Sequence, residues 1–276
     1  MSIDQRIIEL GIEVEGKITW YKDLYIEAKG SKHRNINDTQ CVITVYNLPA
    51  NTRNYILDNA FAPGVGKDIS IQLKVGRESY GASLMFSGEV DQATQSGLPD
   101  IALMLRCHAS YRANKNTITI SGGEVEPLTS IAKKAADALG VALNFGIDDK
   151  NIASFSYAGK DSGLLNALQS LIPSDSKVVV DGGTLFFTKS DSIAQGFEVA
   201  DISVGYSGLI EATGAASGVK IKSLYSPSVQ LMGGVNLLTS KNPNLNGRYA
   251  LHTLTFDVSN SGTPFYLNME GVKLNG

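Results

Sequence analysis

The chain has 276 residues, 43% hydrophobic and 18% charged, and a formal net charge of −3 from 24 Lys and Arg against 27 Asp and Glu. That apolar content can fill a core or two and excludes global disorder, and the near-neutral balance leaves no basic footprint for dedicated nucleic-acid binding. Apolar runs such as Ile101 to Leu105 fall far short of the ~18 residues of a membrane span, and Met1-Ser-Ile-Asp-Gln-Arg has no apolar signal core, so a cytosolically made chain not exported by that route is expected.

Residues 1–113 are strand-rich. Ile12, Val14 and Ile18 precede Leu24-Tyr-Ile-Glu-Ala, and Cys41-Val-Ile-Thr-Val-Tyr is a well-formed β run stopped by Asn47-Leu-Pro-Ala. Asn51 or Thr52 then caps a short helix carrying Tyr55, Ile56 and Leu57. Strand patterns return at Ile69 to Val75, around Leu84 to Val90, and in Ile101-Ala-Leu-Met-Leu-Arg-Cys, whose continuous apolarity suits a central strand. Short strands between Gly, Asn and Pro turns point to a barrel or sandwich.

Residues 114–194 change character. Glu126-Pro-Leu opens a helix whose stripe Leu128, Ile131, Ala132, Ala135 and Leu139 runs to the stop at Gly140. Short strands at Ala142 to Phe145 and Ala153 to Tyr157 precede a second helix, from Asp161 or Ser162 to about Ile172. Lys177-Val-Val-Val, Asp181-Gly-Gly and Thr184-Leu-Phe-Phe spell a hairpin. This is a compact α+β module with its own apolar faces.

Residues 195–276 are β again, alternating cleanly at Val219 to Leu224 and Thr253 to Val258. From Asp201 onward there are nine charged residues, five basic and four acidic. A β surface so poor in charge has few gatekeepers on its edges, which suits edges covered by neighbouring subunits. No fixed-period repeat indicates a solenoid or propeller.

Chemistry-bearing constellations are sparse. Cys41 and Cys107 cannot make a disulfide framework; they read as buried reduced thiols, with a bridge between them left open. His33, His108 and His252 stand apart from any ligand spacing, so no metal or cofactor is expected. Gly64-Val-Gly-Lys-Asp lacks the first glycine and the final Ser or Thr of a phosphate loop. Ser130-Ile-Ala-Lys133 and Ser217-Gly-Val-Lys220 fit Ser-x-x-Lys without a Lys-Thr-Gly partner. Glu124 and Glu126 suit a helix start, Asp148 and Asp149 a turn, and Asn37-Asp-Thr is a formal glycan acceptor without a secretion signal. No catalytic residue is assigned, and the chain is not expected to be an enzyme.

Cys41-Val-Ile-Thr-Val-Tyr-Asn-Leu-Pro-Ala-Asn-Thr-Arg-Asn-Tyr-Ile-Leu resembles the strand-turn-helix near the start of baseplate hub proteins from contractile-tailed bacteriophages. Tyr206-Ser-Gly-Leu-Ile, Gly218-Val-Lys-Ile-Lys-Ser-Leu-Tyr-Ser-Pro-Ser-Val and Asn246-Gly-Arg-Tyr-Ala-Leu-His-Thr-Leu-Thr-Phe-Asp resemble that family's second barrel, and the middle module matches in type. The resemblance implies a mainly β chain in which two tube-like β-barrels, 1–113 and 195–276, flank a small two-helix α+β domain, 114–194. It further implies a structural virion protein, the central hub joining tail tube to tail spike. Three copies would supply six barrels to a ring. The implied partners are the chain itself as a homotrimer, the tail tube or tube-initiator protein, the spike and other baseplate proteins. Neither a membrane nor sequence-specific nucleic acid is among them. The implied location is the tail baseplate, with the host cytoplasm during assembly. Unlike larger hubs, this chain has no lysozyme-like segment.

Two rivals make different demands. A phage-borne module recognising a surface glycan needs clustered exposed aromatics, for which Trp20, Tyr21 and Tyr25 are the candidates, although Trp20 beside alternating apolars reads as core. A hydrolase needs Ser130 and Lys133 to act together.

Overall fold

A computed structural model describes residues 4–14, 16–34, 39–60, 69–97, 99–109, 117–205, 208–216, 218–262 and 264–274. The first β region comprises β1 (Arg6–Val14), β2 (Lys17–Tyr21), β3 (Ile26–His33), β4 (Gln40–Tyr46), α1 (Ala50–Ala60), β5 (Ser70–Arg77), β6 (Gly81–Gln95) and β7 (Ala102–His108). Period-two burial sets the inward face: Ile8, Leu10 and Ile12 on β1, Cys41, Ile43 and Val45 on β4, and Ile71, Leu73 and Val75 on β5. The helix α1 starts directly after Pro49, so Asn51 and Thr52 sit in its first turn instead of capping it.

The middle module runs through β8 (Ile118–Ser121), β9 (Val125–Pro127), α2 (Leu128–Leu139), β10 (Ala142–Phe145), β11 (Asn151–Ala153), β12 (Ser156–Gly159), α3 (Asp161–Ser170), β13 (Ser176–Asp181) and β14 (Thr184–Lys189). Every residue of the predicted α2 stripe is buried, and Gly140 ends the helix at φ 68°, where a side chain would be strained. The single strand expected at Ala153 to Tyr157 is two. Ser154 turns the chain at φ 51°, so β11 pairs with β9 and β12 with β8. Gly182 and Gly183, at φ 56° and 78°, form the two-residue turn of the β13–β14 hairpin, the backbone that a tight hairpin's twist demands.

The last β region contains β15 (Val199–Ser203), β16 (Leu209–Ala215), β17 (Gly218–Leu224), β18 (Gly234–Leu238), β19 (Gly247–Ser259) and β20 (Phe265–Lys273). The expectation of a mainly β chain with an α+β module holds. The two β regions are joined edge to edge. The described strands of both β regions form one 13-stranded sheet in the order β16-β17-β20-β19-β3-β4-β7-β6-β5-β1-β2, with the parallel pair β15–β18 branching from β19. No ladder closes on itself among the described residues.

The joint is the antiparallel pair β3–β19, from Thr253↔His33 to Ser259↔Glu27. The strand β19 serves two sets of partners: its first residues pair with β18, its later ones with β3. Its register against β20 shifts between Leu251 and Thr253, where the changeover falls, as expected of a bulge that bends its strand. Side chains complete what the ladders leave open. Tyr225 Oη donates to Val75 O over 3.1 Å, and the guanidinium carbons of Arg6 and Arg77 lie 4.8 and 5.0 Å from the centroid of the Phe265 ring.

Two apolar cores result. One unites both β regions, and the other lies inside the module. The hairpin β13–β14 belongs to both. Val178, Val180, Leu185 and Phe187 face the module core, while Val179 and Phe186 face the sheet, because neighbours on a strand point to opposite sides.

Candidate assembly surface

The residues singled out for catalysis or metal binding are occupied with local structure. Ser130 Oγ donates to Glu126 Oε1 over 2.5 Å, and Lys134 Nζ lies 2.6 Å from the same oxygen. Lys133 is exposed, so the lysine gathered beside Ser130 is Lys134. Together Lys134 and Ser130 hold the Glu126 carboxyl below its ordinary range. Asp149, read as a turn residue, accepts the Thr129 N–H at the first turn of α2 (3.0 Å) and the Lys150 N–H (2.9 Å). It substitutes for the cap that Pro127 cannot provide, and its carboxyl is held down by the bond with Thr129.

His33 and His252 meet in space, with Nδ1 atoms 3.3 and 3.1 Å from Thr253 Oγ1. Burial pushes the His252 imidazole down. His108 Nδ1 lies 2.6 Å from Asp91 Oδ1. Among the described residues no three His, Cys, Asp or Glu side chains converge as metal ligands. Residues 64–68, Asn37 and Ser217 lie outside the described residues.

Trp20, Tyr21 and Tyr25 do not form a platform. Trp20 is half-buried, not core; it lies on β2 with the Lys74 ammonium 4.2 Å from its ring. Tyr21 bonds Thr52 Oγ1 through its hydroxyl (2.7 Å), and Tyr25 meets Tyr46 with ring centroids 4.9 Å apart and planes tilted by 42°.

The module is bolted to the sheet by two cations near the end of β3. Lys32 reaches Asp181 at the hairpin turn. Arg34 is 3% exposed and gives its guanidinium to three backbone carbonyls: Nη1 to Ser192 O (2.8 Å) and Lys189 O (3.3 Å), Nε and Nη2 to Leu231 O (3.4 Å each). Burial pushes the Arg34 pKa down to about 10. These contacts tie residues of all three sequence regions. Beside them a cavity of about 210 Å³ opens between sheet and module, lined by Lys32, Thr39, Phe86, Ala109, Leu139 and Asp181 among others.

The outward features are the sheet's ends. Among the described residues the strands β2 and β16 each have one hydrogen-bonded neighbour, β1 and β17 respectively, so each offers a row of backbone groups that no described strand pairs. Large apolar side chains are exposed nearby: Ile210 (44%) on β16 and Leu224 (41%) on β17, and Val204 (57%) with Leu238 (50%) at the end of the β15–β18 ladder. One face of β16, β17, β20 and β19 carries Glu211, Thr213, Lys220, Thr255 and Asn268 along a groove of about 250 Å³, with Lys220 paired to Glu270 at 2.8 Å. Open edges and solvent-facing apolar side chains suit a subunit finished by its neighbours.

A family model described as "Baseplate hub gp41" matches residues 7–271. The chain belongs to this baseplate hub family. The hub therefore has a structural role in a phage tail baseplate. No curated sequence matches it. Its fold recurs in the 43 kDa tail protein of prophage MuSo2 from Shewanella oneidensis, at TM-score 0.61 and 11% identity over 96% of the hub and 98% of that chain. It recurs also in the E. coli c3393 protein, a type VI secretion component described as similar to T4 tail proteins gp27 and gp5, at TM-score 0.60 and 10% identity over 96% and 77%. A Neisseria meningitidis MC58 tail protein gives TM-score 0.59 at 8% identity over 96% of both chains. At such identities the likeness is one of fold.

Proposed function

We propose that the hub acts as a homotrimer that joins the tail tube to the spike, three copies contributing six tube-like β regions to one ring. The observation that carries this reading is the pair of β regions fused into one sheet whose ends, β2 and β16, are both open. Copies set head to tail close a ring only at the correct rotation, and such a ring covers the β2 and β16 edges. The groove face, which carries Glu211, Lys220 and Asn268, suits the water side of the ring, and the exposed Ile210, Leu224, Val204 and Leu238 suit its contacts. Its role is assembly without catalysis, consistent with Ser130 given over to Glu126, and its place is the virion tail after assembly in the host cytoplasm. Residues 1–113 and 195–276 act as one β unit, with 114–194 as a folding unit of its own.

Light scattering on the purified hub, with and without a tube or spike partner, tests the reading. A trimer of 29.4-kDa chains weighs about 88 kDa. A monomer under both conditions, or a stable dimer, overturns it.

A further inference from the structure

Cys41 on β4 and Cys107 on β7 are the chain's two cysteines, and they stand directly opposite one another in register. Ladder bonds bracket the pair: Ala109 N–H to Thr39 O on one side and Asn47 N–H to Ile101 O on the other, both 2.9 Å. Those bonds fall on the same alternate set of pairs as Cys41 and Cys107. The cysteines therefore occupy a hydrogen-bonded pair, with Cα atoms about 5.5 Å apart, within the range that a disulfide bridges. Both side chains enter the same inner face, 1% and 2% exposed, as free thiols. The next pair along that face, Thr39 and Ala109, lines the cavity between sheet and module. The thiols thus sit one layer from a space open to small molecules.

We propose that Cys41 and Cys107 are an oxidative modification site that closes to an intrachain, cross-strand disulfide with a small disulfide oxidant of the glutathione class. The Cys41 thiolate attacks one sulfur of the oxidant, forming a mixed disulfide and expelling one thiolate. The Cys107 thiolate then attacks Cys41 Sγ and expels the second. Two protein S–H bonds and one S–S bond are lost, one protein S–S bond forms, and the two protons leave on two molecules of reduced oxidant.

Burial raises both thiol pKa values, and at Cys41 it outweighs the help of the Lys32 ammonium. Reaction is therefore slow at neutral pH and quickens as pH rises, because the thiolate is the nucleophile. Side chains at a hydrogen-bonded pair are farther apart than at the alternate pair. Closure draws β4 and β7 together, and the resulting strained bond is readily reduced. The site is open in a thiol-rich compartment and shut outside one.

The test incubates the full-length hub with oxidised glutathione at mildly alkaline pH, both folded and during refolding, and reads intact mass and thiols in denaturant. The expected result is loss of two hydrogens with no retained adduct, thiols falling from two to none, and reversal by reduced glutathione. The Cys107→Ser variant shows no two-hydrogen loss. Two titratable thiols persisting in both arms, or glutathione adducts accumulating without an internal bond, overturn the proposal.

Discussion

Lys32 Nζ lies 2.8 Å from Asp181 Oδ1 and thereby joins residues 149 positions apart, one on the sheet and one on the module's hairpin. Lys32 lies near the end of β3 and Arg34 directly follows the strand. One holds the hairpin's turn and the other its far end, through Lys189 O. The module is thus fixed along a line, and Phe186 packs beneath that line into the sheet core.

Removing one partner of the Lys32–Asp181 pair leaves a poorly solvated charge. Lys32→Ala and Asp181→Ala are each expected to cost on the order of 3 kcal/mol of stability, whereas the apolar double change Lys32→Met with Asp181→Leu costs less than either single change. Urea unfolding of the three variants measures this. A double variant as unstable as the sum of the singles contradicts it.

Acid should loosen the seam between the β regions. The His252 pKa lies below its ordinary 6.5 because burial disfavours the cation, and its Nε2 is buried without a hydrogen-bond partner. The groups acting on it are Glu270, which favours the charge, and Arg34, His33 and Lys220, which oppose it. The unfolded chain therefore binds the proton more tightly, so this contribution is complete above 6.5 and fades as pH falls below it. Glu126 and Asp149, depressed below 4.5 and 3.8, have the same sign further down: their stabilisation is present above those values and is lost on acidification. His252→Asn should flatten the first decline and leave the second, as read by unfolding midpoints across pH.

Residues 114–194 expressed alone should fold, because Leu128, Ile131, Leu164, Leu168 and Phe187 close their own core. The fragment exposes Val179 and Phe186, so Phe186→Ser should improve its solubility. In the whole hub the smaller truncation Phe186→Ala should cost about 3–5 kcal/mol. A disordered circular dichroism spectrum for the fragment contradicts the first expectation. The β regions made separately should be insoluble, since each loses the β3–β19 ladder.

Charge on the open side should abolish self-assembly without unfolding the chain. Ile210→Lys and Leu238→Lys replace side chains that are 44% and 50% exposed, so the monomer's stability should move by less than ~0.5 kcal/mol. Light scattering should then report monomer where the parent forms trimer. Trimers that persist in both variants would exclude these side chains from the contact.

Local periodicity made the module legible: the α2 stripe ended at Gly140, and Asp181-Gly-Gly formed the hairpin turn. The sheet was legible strand by strand but not as a whole. Nothing in the apolar alternation of Ile26 to Ala28 marks that segment for two partners, and pairing His33 with Thr253 is a long-range choice without a local signal. Lys32 and Arg34 lie in a polar run, Lys29-Gly-Ser-Lys-His-Arg, that reads as solvated surface, so neither bolt was visible. Asp149 gave no cue that it would accept the N–H of Thr129, 20 residues earlier in the first turn of α2. One signal was available for the split at Ser154: serine tolerates local backbone hydrogen bonding that breaks a strand.

The β3–β19 joint also sets a clock on synthesis. The partners His33 and Thr253 are 220 residues apart, and ribosomes add about 5–20 residues per second. The edge of β3 therefore emerges roughly 10–40 s before the strand that covers it. Throughout that interval the nascent chain carries an unsatisfied edge beside Ile26 and Ala28. Slow translation of the last third would prolong this exposure, so the hub's yield should depend on how fast its final strands are made.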